Sequence, residues 1–250
     1  MTRETTPEEL TPRTPLWQAV ALLGGAVAGA LATAVVVPLW VPSLAGSLAG
    51  PQGHGYWYLS RVSGLVAYGL LWLSTVLGLL LTGRIARTWP GVPTAVDLHQ
   101  FLSLVALAFS LLHALVLLGD RYAGYTPFTL LVPFASSPYR PLWVAWGQIG
   151  LYLTAVVTFS FYFRKRIGPR TWRRLHYLTF LVYSMVLVHA VVAGTDTPNP
   201  VVVLYYLVTG GAVYALTLFR LLIRSVDVGR QPTHAPNPSH GAGQTHHLAG

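Results

Sequence analysis

Six long apolar blocks dominate this chain, at residues 16–40, 58–83, 98–119, 142–163, 174–193 and 201–223. Each is long enough to cross a hydrocarbon layer of about 30 Å as a helix. In lipid only a helix or a closed barrel satisfies its own backbone hydrogen bonds, and blocks of this length predict helices. A soluble core could not hide six of them. Charged residues make up only 9% of the chain, against about a quarter in an average soluble domain. The expected fold is all-α: a polytopic membrane bundle of six transmembrane helices over residues 16–224. A disordered leader is expected at 1–15 and a disordered tail rich in His, Pro and Gly at 225–250. The first block is longer than the apolar region of about 7–15 residues in a cleavable signal peptide, so it is expected to stay as a helix.

The basic residues set the expected orientation. With the N-terminus in the cytoplasm and the helices alternating, 13 of the 16 Lys and Arg fall on the inner side, among them Arg3, Arg13, Arg84, Arg87, Arg164–Arg174, Arg220, Arg224 and Arg230. Arg121 and Arg140 remain outside, and Arg61 sits just inside the outer end of the second block. This positive-inside bias predicts both termini in the cytoplasm and a multi-pass protein of the inner (cytoplasmic) membrane. Trp40, Trp57, Trp143 and Trp146 then fall at the outer interface, and Trp17, Trp89 and Trp172 at the inner one. The same placement argues against nucleic acid as the partner of the +9 net charge; the bilayer is the expected partner.

Four histidines interrupt the apolar blocks, His99 and His113 in the third, His176 and His189 in the fifth. Ionisable groups at that depth read as functional. The 14-residue step from His99 to His113 is roughly 21 Å along a helix, and the 13-residue step from His176 to His189 roughly 20 Å. One helix intervenes, so the third and fifth run in the same direction. His99 and His176 then share the inner depth, and His113 and His189 the outer one. Two imidazoles at one depth can supply both axial ligands of a haem iron. Since the chain has no cysteine, covalent attachment and iron–sulfur clusters are excluded, and two non-covalent b-type haems are expected. Zinc needs three or four ligands at one point, and Asp97 beside His99 does not complete two such sites. The competing use of the four histidines is polar contact between helices. One detail resists: on an ideal helix 14 steps fall roughly 40° short of whole turns, but 13 steps fall roughly 140° short. His176 and His189 should therefore not share a face unless the helix bends, changes its winding, or carries offset haems.

The two histidine pairs, the Arg61-Val-Ser-Gly64 opening of the second block, the basic run Arg164–Arg174 leading through Trp172 to His176, and the stretch from His189 through Gly194 to Asp196 resemble the ferric reductase-like transmembrane domain family. That family includes ferric reductases, the membrane part of NADPH oxidases and the haem subunit of bacterial methionine sulfoxide reductase systems. The resemblance covers roughly residues 56–224. It implies that His99, His113, His176 and His189 are haem ligands. It also implies a membrane haem component of an oxidoreductase, moving electrons to an extracytoplasmic acceptor. The chain departs from the larger members. After the sixth block come only about 26 polar residues, with no Gly-rich nucleotide loop, so no flavin or NAD(P)H domain is expected and the donor must be separate, a flavoprotein or membrane quinol.

Haem propionates favour cations, which makes Arg61 a candidate cofactor contact, with Arg140 beside it at the outer level and Arg84, Arg173 and Arg174 at the inner one. Gln148 is expected to make a structural hydrogen bond. The step Gly25-x3-Gly29 could admit a neighbouring helix or be ordinary membrane-helix composition. The basic cluster Arg164–Arg174 is expected to contact anionic lipid, with docking of an acidic donor as the sharper reading. His54 has no evident partner, and His234, His240, His246 and His247 are read as tail filler. Two functions compete with the leading one: a quinol-linked cytochrome b anchor, and a non-redox transporter or scaffold without haem.

Overall fold

The computed structural model describes residues 15–40, 54–82, 91–120, 122–135 and 139–229. Six long helices account for most of them: α1 (Leu16–Trp40), α2 (Gly55–Thr82), α3 (Val92–Leu115), α4 (Pro141–Ile167), α5 (Pro169–Ala193) and α6 (Pro200–Gly229). α3 runs on into a 3-10 turn, Val116–Gly119, and a single helical turn, Pro127–Leu131, lies in the connection to α4. There is no strand among the described residues. The helices are 24–30 residues long, enough at about 1.5 Å per residue to span roughly 30 Å of hydrocarbon. All six are apolar enough to cross a membrane. Residues 1–14 of the predicted leader, residues 230–250 of the predicted tail with its histidines, and Arg84, Arg87, Trp89 and Arg121 lie outside the described residues.

Five of the six helices are longer than their apolar blocks, and α1 matches its own. α2 begins at Gly55, α3 at Val92 and α5 at Pro169, three to six residues before the apolar runs do. Hydropathy marks where a helix enters hydrocarbon, but the helix itself continues through the polar interface. The joint between α4 and α5 shows this most clearly. Sequence predicts a basic connector over 164–173; the structure has helix on both sides of one residue, Gly168. Gly168 adopts φ 82° and ψ 155°, a region open essentially to glycine alone. Its N–H donates to the Arg164 carbonyl at 3.0 Å, closing α4, and Pro169 opens α5 with a φ already suited to a first helical turn.

Burial is inverted relative to a soluble protein. Large apolar side chains point outward, Leu204, Leu207, Leu218 and Phe219 of α6 each more than half exposed. Many of the buried groups are small and hydroxylated, including Ser60, Ser63, Ser74, Thr75, Thr154 and Ser160. In lipid, helices gain little by hiding leucine from leucine; they associate through small residues and hydrogen bonds. Gly25 and Gly29 do not serve this purpose within the chain, since a side chain at either would meet nothing within 4 Å.

α2 packs against α3 and α4 against α5 far more extensively than any other pairs. Both pairings are antiparallel: Ser60 meets His113 and Ser74 meets His99, while Gly147 meets His189 and Phe161 meets Trp172. The two hairpins join through a buried tyrosine core. Tyr68 of α2 and Tyr183 of α5 stack at 5.9 Å, their hydroxyls are 3.0 Å apart, and the Tyr68 hydroxyl lies 2.6 Å from that of Thr209 on α6. Every hydroxyl of this set has a partner, which removes the cost of burying it in apolar surroundings.

Candidate functional site

α3 and α5 are not among the closely packed pairs of helices, yet they meet through four imidazoles. The His99 and His176 rings are 6.0 Å apart between centroids, with planes at 74°. The His113 and His189 rings are 6.2 Å apart, also at 74°. The predicted pairs are therefore the pairs that form, and α3 and α5 run in the same direction. α5 is unbroken α-helix from Pro169 to Ala193, so the 13-residue interval is not absorbed by a local change of winding.

Three of the four rings are held from behind. His113 donates Nδ1–H to the Ser60 carbonyl, His99 donates to the Ser74 carbonyl and His189 to the Trp143 carbonyl, each at 2.8 Å. A carbonyl only accepts, so these contacts fix the Nδ1–H tautomer and leave Nε2 unprotonated, with a lone pair free to bind. The serine hydroxyls add to the grip: Ser60 Oγ is 3.1 Å from His113 Nδ1 and donates to the His113 carbonyl at 3.0 Å, and Ser74 Oγ is 3.1 Å from His99 Nδ1. His176 makes no ring hydrogen bond among the described residues; it stacks on Trp172 at 5.3 Å and 25°.

Glycines make the close approach possible. A Cβ on Gly64 would fall 2.8 Å from His113 Nδ1, one on Gly147 2.7 Å from the His189 ring, and one on Gly78 3.3 Å from His99. Ser60 and Gly64 thus cradle His113, and Ser74 and Gly78 cradle His99. The two Ser-x3-Gly steps lie 14 residues apart, the same interval that separates the two histidines. Sequence reasoning noted Gly64 but passed over this matched repeat, which was a readable signal. The Trp143 carbonyl was not readable, because any residue supplies a carbonyl.

Two imidazoles on opposite sides of one metal ion, at about 2 Å from each nitrogen, put their ring centres about 6 Å apart. Both pairs have that spacing. Among the described residues no three His, Cys, Asp or Glu converge on one point. At the His99–His176 level two buried donors, Gln100 Nε2 and Trp172 Nε1, have no acceptor among the described residues, which suits a group that brings its own acceptors.

Arg61 faces Asp196, with Nε donating to Oδ2 at 2.7 Å and a second guanidinium nitrogen paired with Oδ1. The ion pair joins the opening of α2 to the segment after α5, two stretches 135 residues apart. The charge of Arg61 is thus met by a carboxylate of the chain, and a further anion would have to share it. Arg140, at φ 45°, donates to the Val192 carbonyl, while the Tyr139 hydroxyl donates to the Ala193 carbonyl at 3.0 Å. The pair caps the end of α5, where the helix dipole favours a cation. Arg173 and Arg174 are exposed at the start of α5. Gln148 Nε2 donates to the Thr129 and Leu130 carbonyls at 2.9 and 2.7 Å, the structural use expected for it. His54 stands edge-on to Tyr122.

Residues 56–196, more than half of the 250-residue chain, match the model of a domain family of unknown function, DUF8596. The chain belongs to this family. The DUF8596 region opens on the first turn of α2 and closes at Asp196. It holds all four imidazoles, the three glycines behind them and both ends of the Arg61–Asp196 pair. α1 and α6 fall outside it. No curated protein and no solved structure matches the chain.

Proposed function

We propose that this chain is a transmembrane electron conduit of ferric reductase-like type. It would hold one haem b between His99 and His176 and a second between His113 and His189. The observation that carries this reading is the duplicate geometry: two imidazole pairs at one separation and one interplanar angle, at two depths along the same two helices. Polar contact between helices does not require two half-buried imidazoles to stand about 6 Å apart at both levels, with three of the four rings turned to give Nδ1–H to a carbonyl. The chain's own residues would set ring direction and tautomer through Ser60, Ser74 and Trp143. Bound haem supplies a one-electron couple at each level.

The rest of the proposal follows from the sequence. Both termini face the cytoplasm of the inner membrane. A separate donor, flavoprotein or quinol, delivers electrons, and an extracytoplasmic acceptor removes them. Arg61 is shared between Asp196 and the haem near His113. The chain is then the membrane haem component of an oxidoreductase.

The test is an absorption spectrum of the purified protein before and after dithionite, with haem quantified per chain. Two b-type haems are expected in the wild type, and one in each of His99→Ala, His113→Ala, His176→Ala and His189→Ala. A wild-type protein that takes up no haem overturns the reading, as does an unchanged content of two in His113→Ala and His189→Ala. Reduction by a quinol analogue without any flavoprotein would select the quinol-linked form of the same conduit.

A further inference from the structure

The two imidazole pairs match in spacing but not in support. At the His113–His189 level both rings give Nδ1–H to a backbone carbonyl, Ser60 and Trp143 respectively, each at 2.8 Å. Both are pressed from behind by a glycine, with less than 3 Å to spare for a Cβ on Gly64 or Gly147. At the His99–His176 level, among the described residues, only His99 is held this way, and its glycine, Gly78, leaves 3.3 Å. His176 has a stacked indole in place of an acceptor.

From this we infer that the chain tunes its two sites unequally, the backbone acceptors of Ser60 and Trp143 making the His113–His189 site the lower-potential and more firmly held one. The inference rests on the proposed haem ligation. Its physical basis is ligand basicity. An Nδ1–H donated to a carbonyl leaves more electron density on Nε2. A more basic axial nitrogen stabilises the ferric state over the ferrous and lowers the midpoint potential. Two such ligands act on one iron at the outer level and one at the inner level. Trp143 and Gly147 are then positioning residues: they touch neither iron nor substrate and act through His189.

A substitution within one level separates this effect from differences in burial between the levels. Gly147→Ala places a Cβ 2.7 Å from the His189 Nδ1 that donates to the Trp143 carbonyl, so ring or helix must shift and that hydrogen bond is expected to weaken. The experiment is a spectroelectrochemical titration of the full-length protein in detergent, following the haem absorption bands of wild type and Gly147→Ala. His99→Ala and His113→Ala assign the components. The wild type is expected to titrate with two midpoints, the lower one surviving alone in His99→Ala and the higher one alone in His113→Ala. In Gly147→Ala the lower midpoint moves up toward the higher, which stays in place. Haem retention after dilution gives a second readout: the His99–His176 haem is lost first. Two haems with a single shared midpoint, or a Gly147→Ala shift confined to the higher component, overturns the inference and leaves the conduit standing. A wild type without haem overturns both.

Discussion

An imidazole buried between apolar helices keeps one tautomer only while one of its nitrogens has a fixed partner. Here the partners are backbone carbonyls, and the glycines determine whether the rings can reach them. Gly64→Val is therefore expected to lower the occupancy of the His113–His189 site severalfold and to cost about 1–3 kcal/mol in stability through overpacking. Gly24→Val is the control: a side chain at Gly24 meets nothing within 4 Å, and its effect is expected to stay within about 0.5 kcal/mol. Haem content and thermal unfolding of the two variants check this, and equal behaviour would contradict it. At this scale the four histidines were legible because ionisable groups stand out in apolar runs. The Ser-x3-Gly cradles were visible but camouflaged, since serine and glycine are common in membrane helices. The Arg61–Asp196 pair was not legible as a pair, because nothing local in a sequence relates residues 135 positions apart.

Among the elements, the helices follow the hydropathy closely in the middle and poorly at the ends. The apolar blocks located all six, but the α4–α5 joint shows what hydropathy omits. Arg164, Lys165 and Arg166 are the last turn of α4, where cations suit the helix dipole, and Arg164 lies 3.9 Å over the Phe161 ring. Arg170, Arg173 and Arg174 open α5, where the dipole disfavours them. In the proposed orientation they lie on the cytoplasmic side, where the positive-inside bias places basic residues whatever the helix dipole. The Ile-Gly-Pro sequence at the joint is itself a strong turn signal, and a hydropathy window averages over it. Gly168→Ala is expected to destabilise the protein by about 1–3 kcal/mol, since φ 82° with ψ 155° is closed to a side chain. A lowered unfolding temperature measures it, and an unchanged one would show that the joint tolerates a different path. The tightening of α3 into a 3-10 turn at the end of the third apolar block, and the helical turn at Pro127, were not foreseen.

For the molecule as a whole, the dominant fact is two antiparallel hairpins, α2–α3 and α4–α5, each carrying half of every imidazole pair. His99 and His113 find their acceptors on α2 within the first hairpin, and His189 finds its own on α4 within the second. Between the hairpins stand the Tyr68–Tyr183 stack and the facing rings. With the proposed haems removed, the protein is expected to keep its helix content while α3 and α5 lose hydrogen-exchange protection at their facing sides; protection unchanged by haem removal would contradict this. The 14-residue interval on α2 has one more consequence. It equals the interval on α3, so the two helices act as matched rulers laid in opposite directions. A single residue inserted between Gly64 and Ser74 would swing one cradle about 100° away from its ring while leaving the other seated. α2 and α3 can change length between their paired marks only together, never one alone.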